Sequence, residues 1–141
     1  MDLNYYQTLI AVADDCPVTE SVVPVRRGAK VTVAVLQYDM IAANPHVHTQ
    51  EDVLFQTWLQ RQEKMKDLSA EEIAQLREEF FARPQPCLRA SPLPKRYGWG
   101  LLFDQEGRVA LCPMETTAYK EIASGERGDI KVLRAFRSKR A

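Results

Sequence analysis

The sequence predicts an α+β fold: a mainly antiparallel sheet, made of an N-terminal strand, a central hairpin and a C-terminal strand, packed against a helical hairpin and additional helices. Three observations predict it. Two helix-start signatures stand in tandem at Thr49 and Ser69, each with an acid three residues on, Asp52 and Glu72, and each followed by apolar residues at helical spacing. Gln105-Glu106-Gly107 separates two strand-like runs, 99–104 and 108–113. Strand-like segments also stand near both ends, with the helical segments clustered between them.

Size and composition narrow the possibilities. A chain of 141 residues fits one domain, 1–141, able to bury a core without staples. Apolar residues make up 45% and charged residues 27%, as in ordinary globular proteins. Lysine plus arginine balances aspartate plus glutamate at 19 each, which argues against a general polyanion binder but leaves room for a local basic patch. Nucleic acid is therefore not the expected partner. No apolar run approaches the roughly 20 residues that span a bilayer, so no membrane association is expected. Met1-Asp2-Leu3-Asn4-Tyr5 lacks the basic start and apolar core of a signal peptide. An odd cysteine count, three, also speaks against a secreted disulfide framework. A cytoplasmic protein is expected.

Taken in order, residues 5–13 read as a strand, ended by Asp14-Asp15-Cys16-Pro17. Residues 18–29, with Pro24 and Gly28, read as an irregular connection. Residues 32–43 admit two readings. Val31, Val33 and Val35 alternate as in a strand. The unbroken length to Ala43, with Thr32 as cap and Asn44-Pro45 as stop, favours a helix. From Thr49, the stripe Leu54, Phe55, Trp58, Leu59 and Met65 marks one helix. From Ser69, Ile73, Leu76 and Phe80 mark another, with Leu68 and Ile73 at the staple positions and Arg83-Pro84 as its end. A very short link between the two predicts an antiparallel helical hairpin. Beyond the β-hairpin, Thr116 or Thr117 caps a short helix ending before Gly125, residues 130–136 form the last strand, and 138–141 are a frayed basic end.

The chemistry concentrates in residues 86–100. This stretch holds Pro86, Pro92 and Pro94, which exclude an ordinary helix or central strand over its first part. Arg89, Lys95 and Arg96 offer donors to a carboxylate or phosphate, and Ser91 adds a hydroxyl. Tyr97 and Trp99 flank Gly98 and can stack a ring; in an extended segment they point to the same side. These residues, Arg89, Ser91, Lys95, Arg96, Tyr97 and Trp99, are the expected ligand-binding set. The expected pocket lies where this loop meets the hairpin, for a small anionic or aromatic ligand. The plainer alternative is that the aromatics are core and the arginines pair with helix carboxylates such as Glu78 or Glu79.

The stretch Cys87-Leu88-Arg89-Ala90-Ser91-Pro92-Leu93-Pro94-Lys95-Arg96-Tyr97-Gly98-Trp99-Gly100 resembles the signature of a bacterial family of unknown function, DUF6157. The resemblance extends to Asp15-Cys16-Pro17-Val18-Thr19, to Asn44-Pro45 with Thr49-Gln50-Glu51-Asp52-Val53, and to Arg137-Ser138-Lys139-Arg140. It covers nearly the whole chain and implies no activity. Cys112 and the two histidines lie outside the family pattern.

Two other constellations carry candidate chemistry. Cys87 and Cys16 are candidate nucleophiles, with Arg89 as a source of positive charge beside Cys87, but catalysis by a thiolate also needs a base. A free cysteine is more often a small buried hydrophobe. His46, His48, Glu51 and Asp52 lie close in sequence, yet the CxxC and HExxH spacings of zinc sites are absent and the acids are explained by helix capping. No metal site is expected. No GxGxxG or Walker loop occurs either, and no cofactor is expected. The alternatives to a ligand-binding protein are an enzyme with a cysteine nucleophile near Arg89 and a nucleic-acid or protein interaction module.

The thiol reading is directly testable. Alkylation of the denatured, unreduced chain followed by intact mass should label Cys16, Cys87 and Cys112 alike. A pair that accepts label only after reduction contradicts it.

Overall fold

The computed structural model describes residues 2–26, 28, 31–62 and 67–138. Four strands, β1 (Thr8–Ala11), β2 (Trp99–Phe103), β3 (Val109–Pro113) and β4 (Lys131–Arg134), form one sheet in the order β3-β2-β1-β4. The helices are α1 (Val33–Ala43), α2 (Gln50–Gln60), α3 (Ala70–Phe81), α4 (Pro92–Arg96) and α5 (Thr117–Ala123), with a 3-10 turn at Leu88–Ala90. The α+β expectation holds. Two ladders are antiparallel, β1 with β2 and β2 with β3, whereas β4 joins β1 in parallel. The sheet is thus mixed, because the last strand returns to the far edge of β1 by a crossover rather than a hairpin.

Alternation along the strands divides the core between the two faces. Ile10, Leu101, Phe103 and Val109 point to one face, where they meet Ile41 of α1, Val53 of α2, and Leu88 and Leu93 of the central stretch. Leu9, Ala11 and Cys112 point to the other, against Tyr119 and Ile122 of α5. Each fully buried leucine, isoleucine or phenylalanine contributes roughly 1.5–3 kcal/mol. β1 is buried along its whole length because it lies inside the sheet and both its faces are covered.

The helix starts follow their capping residues. Thr32 Oγ1 accepts from Val35 N at 3.3 Å, so residues 32–43 resolve as helix rather than strand, and the amide of Asn44 closes it on Ile41 O. Thr49 and Ser69 both form complete capping boxes with Asp52 and Glu72. Arg77 of α3 reaches Asp52 of α2 at 3.0 Å. Burial would raise the Asp52 carboxyl, but the Thr49 amide and the Arg77 guanidinium outweigh it and hold the group below the usual carboxylate range. Phe80 joins the two helices, with its ring 5.8 Å from Phe55 and 5.3 Å from Trp58. α2 ends at Gln60 and α3 begins at Ala70, and the very short link expected between them falls partly on residues 63–66, which lie outside the described residues. Met65, expected on the apolar stripe, lies outside the described residues, as do residues 139–141 of the expected basic end.

The central stretch departs from expectation. Proline was expected to exclude helix here, but Pro92 and Pro94 sit in the first turn of α4, where the missing amides would have no helical partner. Ser91 caps that turn through Leu93 N at 3.2 Å. Tyr97 ends α4 with φ near −107°, and Gly98 follows at φ +77°, so only Trp99 belongs to an extended segment. Tyr97 and Trp99 therefore do not share one strand face.

The β-hairpin forms as the sequence predicted. Asp104 N donates to Arg108 O, Gly107 N donates to Asp104 O, and Gly107 takes φ +80°. A Cβ added at Gly107 would stand 3.0 Å from both the Tyr5 carbonyl oxygen and the Tyr6 ring. Gly107→Ala should therefore cost about 1 kcal/mol or more, read as a lower urea midpoint at unchanged slope. A variant that melts with the parent contradicts this geometry.

Candidate functional site

The central stretch is bonded through its backbone to distant parts of the chain. Pro94 O accepts from Ala13 N at 2.9 Å, Arg89 O from Phe136 N at 2.9 Å, Tyr97 O from Val22 N at 2.8 Å and Gly98 O from Met114 N at 3.1 Å. Each carbonyl meets a different segment, so the stretch ties together both ends of the chain and the hairpin. Side chains reinforce it from below. Leu88 N donates to Gln50 Oε1 at 2.8 Å, and Gln50 Nε2 donates to Leu3 O. Ser91 Oγ donates to Gln37 Oε1 at 2.5 Å, Gln37 Nε2 to Thr57 Oγ1 at 3.5 Å, and Thr57 Oγ1 to Val53 O at 2.6 Å. Ser91, expected to face a ligand, is buried and its hydroxyl is committed to this chain. Gln37, Gln50 and Thr57 were not singled out in the sequence. The available signal was a lone amide, Gln37, within the apolar run of α1.

The expected ligand set is divided into two groups. Arg89 lies at the end of β4: its Nε donates to Arg134 O at 2.7 Å, and its guanidinium stands 4.5 Å from the centre of the Phe136 ring. Trp99 begins β2 instead. Its ring packs against Tyr38 at 5.3 Å, and its Nε1 donates to Val22 O at 2.8 Å. β1 lies between β2 and β4, so two strand spacings, roughly 10 Å, separate the two groups. The segment around Val22 covers the Trp99 group. Glu115 anchors that segment by accepting from Ser21 N at 2.9 Å and Ser21 Oγ at 2.8 Å, and these bonds hold its carboxyl below the ordinary range. A Cβ at Gly98 would fall 3.0 Å from Glu20 O, so the glycine permits this close approach. The ground where loop meets hairpin, expected to be a pocket, is occupied by the chain's own residues 20–22.

Around Arg89 the charges are unevenly matched. Asp14 receives Arg134 at 3.3 Å and Arg137 at 3.6 Å. Arg89 forms no ion pair among the described residues, and neither do Lys95 and Arg96 in the last turn of α4. Pairing with Glu78 or Glu79 does not occur. Cys87 immediately precedes the 3-10 turn that holds Arg89 and is half-buried. Tyr5 faces this thiol: burial and Cys87 push its phenol up to about 12, against a weaker pull from Arg89. The Tyr5 ring also packs edge-on against Phe103 at 5.6 Å.

The remaining candidates are dispersed. Cys16 packs with the cluster around Tyr119, away from Arg89. Cys112 is buried in the same cluster, and burial pushes its thiol up. All three cysteines are free thiols. His46 faces Asp104, His48 lines the groove between α1 and α2, Glu51 accepts from Asn4, and Asp52 caps α2. Among the described residues no three His, Cys, Asp or Glu side chains gather as a metal-binding set. No helix among them is long and apolar enough to cross a membrane.

No curated protein and no solved structure matches this chain. The model of a family of unknown function, DUF6157, matches residues 1–141, the whole chain, and the central stretch that carries the resemblance is the one that fastens the fold together. The chain belongs to the DUF6157 family.

Proposed function

We propose that the protein is a cytoplasmic binding protein for a small anionic ligand, with Arg89 as the principal recognition residue and Lys95 and Arg96 supplying further positive charge. The observation that carries this reading is the absence of any ion pair to these three cations among the described residues, although the neighbouring Arg134 and Arg137 both reach Asp14. The Arg89 side chain is already oriented by the Arg134 carbonyl and the Phe136 ring, so little freedom remains to be lost on binding. Its terminal nitrogens suit a carboxylate or phosphate, which guanidinium binds in two-pronged fashion. Phe136, with 46% of its surface exposed, offers an apolar flank to an aromatic or aliphatic part of the same ligand.

The alternative of an enzyme with Cys87 as nucleophile draws on the same neighbourhood. A thiol nucleophile there needs a base, and the facing phenol of Tyr5 holds its proton up to about 12 and so supplies none at neutral pH. Binding without chemistry is the reading better supported by these groups.

Calorimetric titration with inorganic phosphate, a nucleoside monophosphate and succinate tests the proposal. At least one titrant should bind the parent protein, and Arg89→Lys should weaken it about tenfold or more, since one charge-assisted bond left unmade costs roughly 1.5–3 kcal/mol. Arg96→Gln, a change on the exposed side of α4, should weaken binding with an unchanged melt. A parent protein that binds none of the three, or variants that bind as tightly as the parent, overturns it.

A further inference from the structure

A concave site lies at the end of the sheet opposite Arg89, at the turn of the β-hairpin. A cavity of about 220 Å³ is lined by His46, Gln7, Asp104, Leu102, Ile130 and Asp129, among others. Two of its residues are non-glycines in the left-handed region, Gln7 at φ +42° and His46 at φ +58°. Such conformations are disfavoured for side-chain-bearing residues and persist only when the surroundings fix them. Here the fixing is visible. Gln7 N donates to Asp104 O and Gln7 O accepts from Lys131 N, while His46 N donates to Val109 O. The sheet thus holds both residues in place around one hollow.

The imidazole, half exposed, is oriented by two acceptors on one of its nitrogens. His46 Nδ1 stands 3.3 Å from Arg108 O and 3.4 Å from Asp104 Oδ2. Both neighbours are acceptors, so neutral His46 carries its proton on Nδ1 and leaves Nε2 as a free acceptor. Asp104 is itself pinned, its Oδ1 accepting from Glu106 N and Arg108 N at 2.9 Å each. Two further carboxylates near the site are paired with cations, and Lys131 beside Ile130 has no ion pair among the described residues. Asp129 is bound by Arg127 through two contacts of 3.2 Å, and Glu106 by Arg108 at 3.1 Å. The Asp104 carboxylate is left as the net charge of the lining, with Leu102 and Ile130 as its apolar wall.

We propose that this cavity binds a small primary amine with an apolar body, its ammonium donating to His46 Nε2 in the field of Asp104 and its body lying against Leu102 and Ile130. This site is independent of the anion site at Arg89. An ammonium supplies the donor that Nε2 lacks and the charge that Asp104 favours, whereas an anion would meet an acceptor and a like charge. The small volume limits the ligand to about one ring or a short alkyl chain.

Nitrogen-15 NMR of the full chain at mildly alkaline pH tests this with benzylamine and benzoate as probes. Long-range spectra should show the Nδ1–H tautomer at His46. Benzylamine should give saturable shifts at His46 Nε2 and at the Gln7 and Ile130 amides, and benzoate should give none. Asp104→Asn, which keeps an oxygen to cap the hairpin, should weaken benzylamine about fivefold or more. His46→Asn, tolerated in the left-handed region, should abolish the response while the remaining spectrum stays that of the folded protein. An Nε2–H tautomer, equal shifts with benzoate, no saturable response, or unaltered affinity in both variants overturns the assignment.

Discussion

Thr8–Ala11 has a strand on each side and apolar side chains on each face, so every polar group of its backbone must be matched by a neighbour rather than by water. That requirement fixes the rest. Antiparallel β2 supplies one edge, with Thr8 opposite Phe103 and Ile10 opposite Leu101. Parallel β4 supplies the other, with Thr8 beside Lys131 and Ala11 beside Arg134. Helices must then cover two faces instead of one, and the chain divides them, α1, α2 and α4 to one side and α5 to the other. Where β1 ends, Ala13 N still needs an acceptor, and Pro94 O of the central stretch provides it.

The central stretch can serve this purpose because proline and glycine have shaped it in advance. Pro92 and Pro94 set a single helical turn without losing a useful donor, and Gly98 reverses the chain into β2. Its carbonyls are consequently free to accept from segments far away in sequence. Beneath it, Ser91, Gln37 and Thr57 form a chain of buried hydrogen bonds, and among the described residues no buried side-chain polar atom is left unmatched. Such a chain has a definite geometry, so it fixes how α1, α2 and α4 sit against each other more sharply than apolar contact would. Arg89 and the neighbouring cations are then carried on a rigid platform.

Features governed by local chemistry were legible in the sequence. Thr32, Thr49 and Ser69 cap helices because hydroxyl, amide and spacing are all contained within four residues. Gly107 makes its turn for the same reason. Ser91-Pro92 carried an equally local helix-start signal that was obscured by the density of proline around it. The parallel place of β4 was not legible, since nothing near Lys131 specifies a partner at Thr8. Nor was the separation of Arg89 from Trp99. They are ten positions apart in sequence, but a helical turn and a reversal intervene, and only the sheet order shows which edge each one reaches. His46 was legible as a chemical group, but its partner Asp104 is brought to it by the bridge between Thr49 and Arg108, a tertiary contact.

The pairing of Thr8 with Lys131 also bears on how the protein is made. A ribosome adds about 5–20 residues per second, so the first strand of the sheet is synthesised roughly 6–25 seconds before its parallel neighbour. Its antiparallel neighbour, which includes Phe103, is also most of a chain length away. Until β2 is made an apolar strand with two open edges waits in the nascent chain, an arrangement prone to pairing with the wrong partner, and the edge that β4 covers stays open longer still. Early helices such as the one capped by Thr49 can fold at once, since their contacts are local. The sheet cannot close until translation has passed Arg134, so the order of synthesis places α1 to α4 first and the parallel ladder between β1 and β4 last.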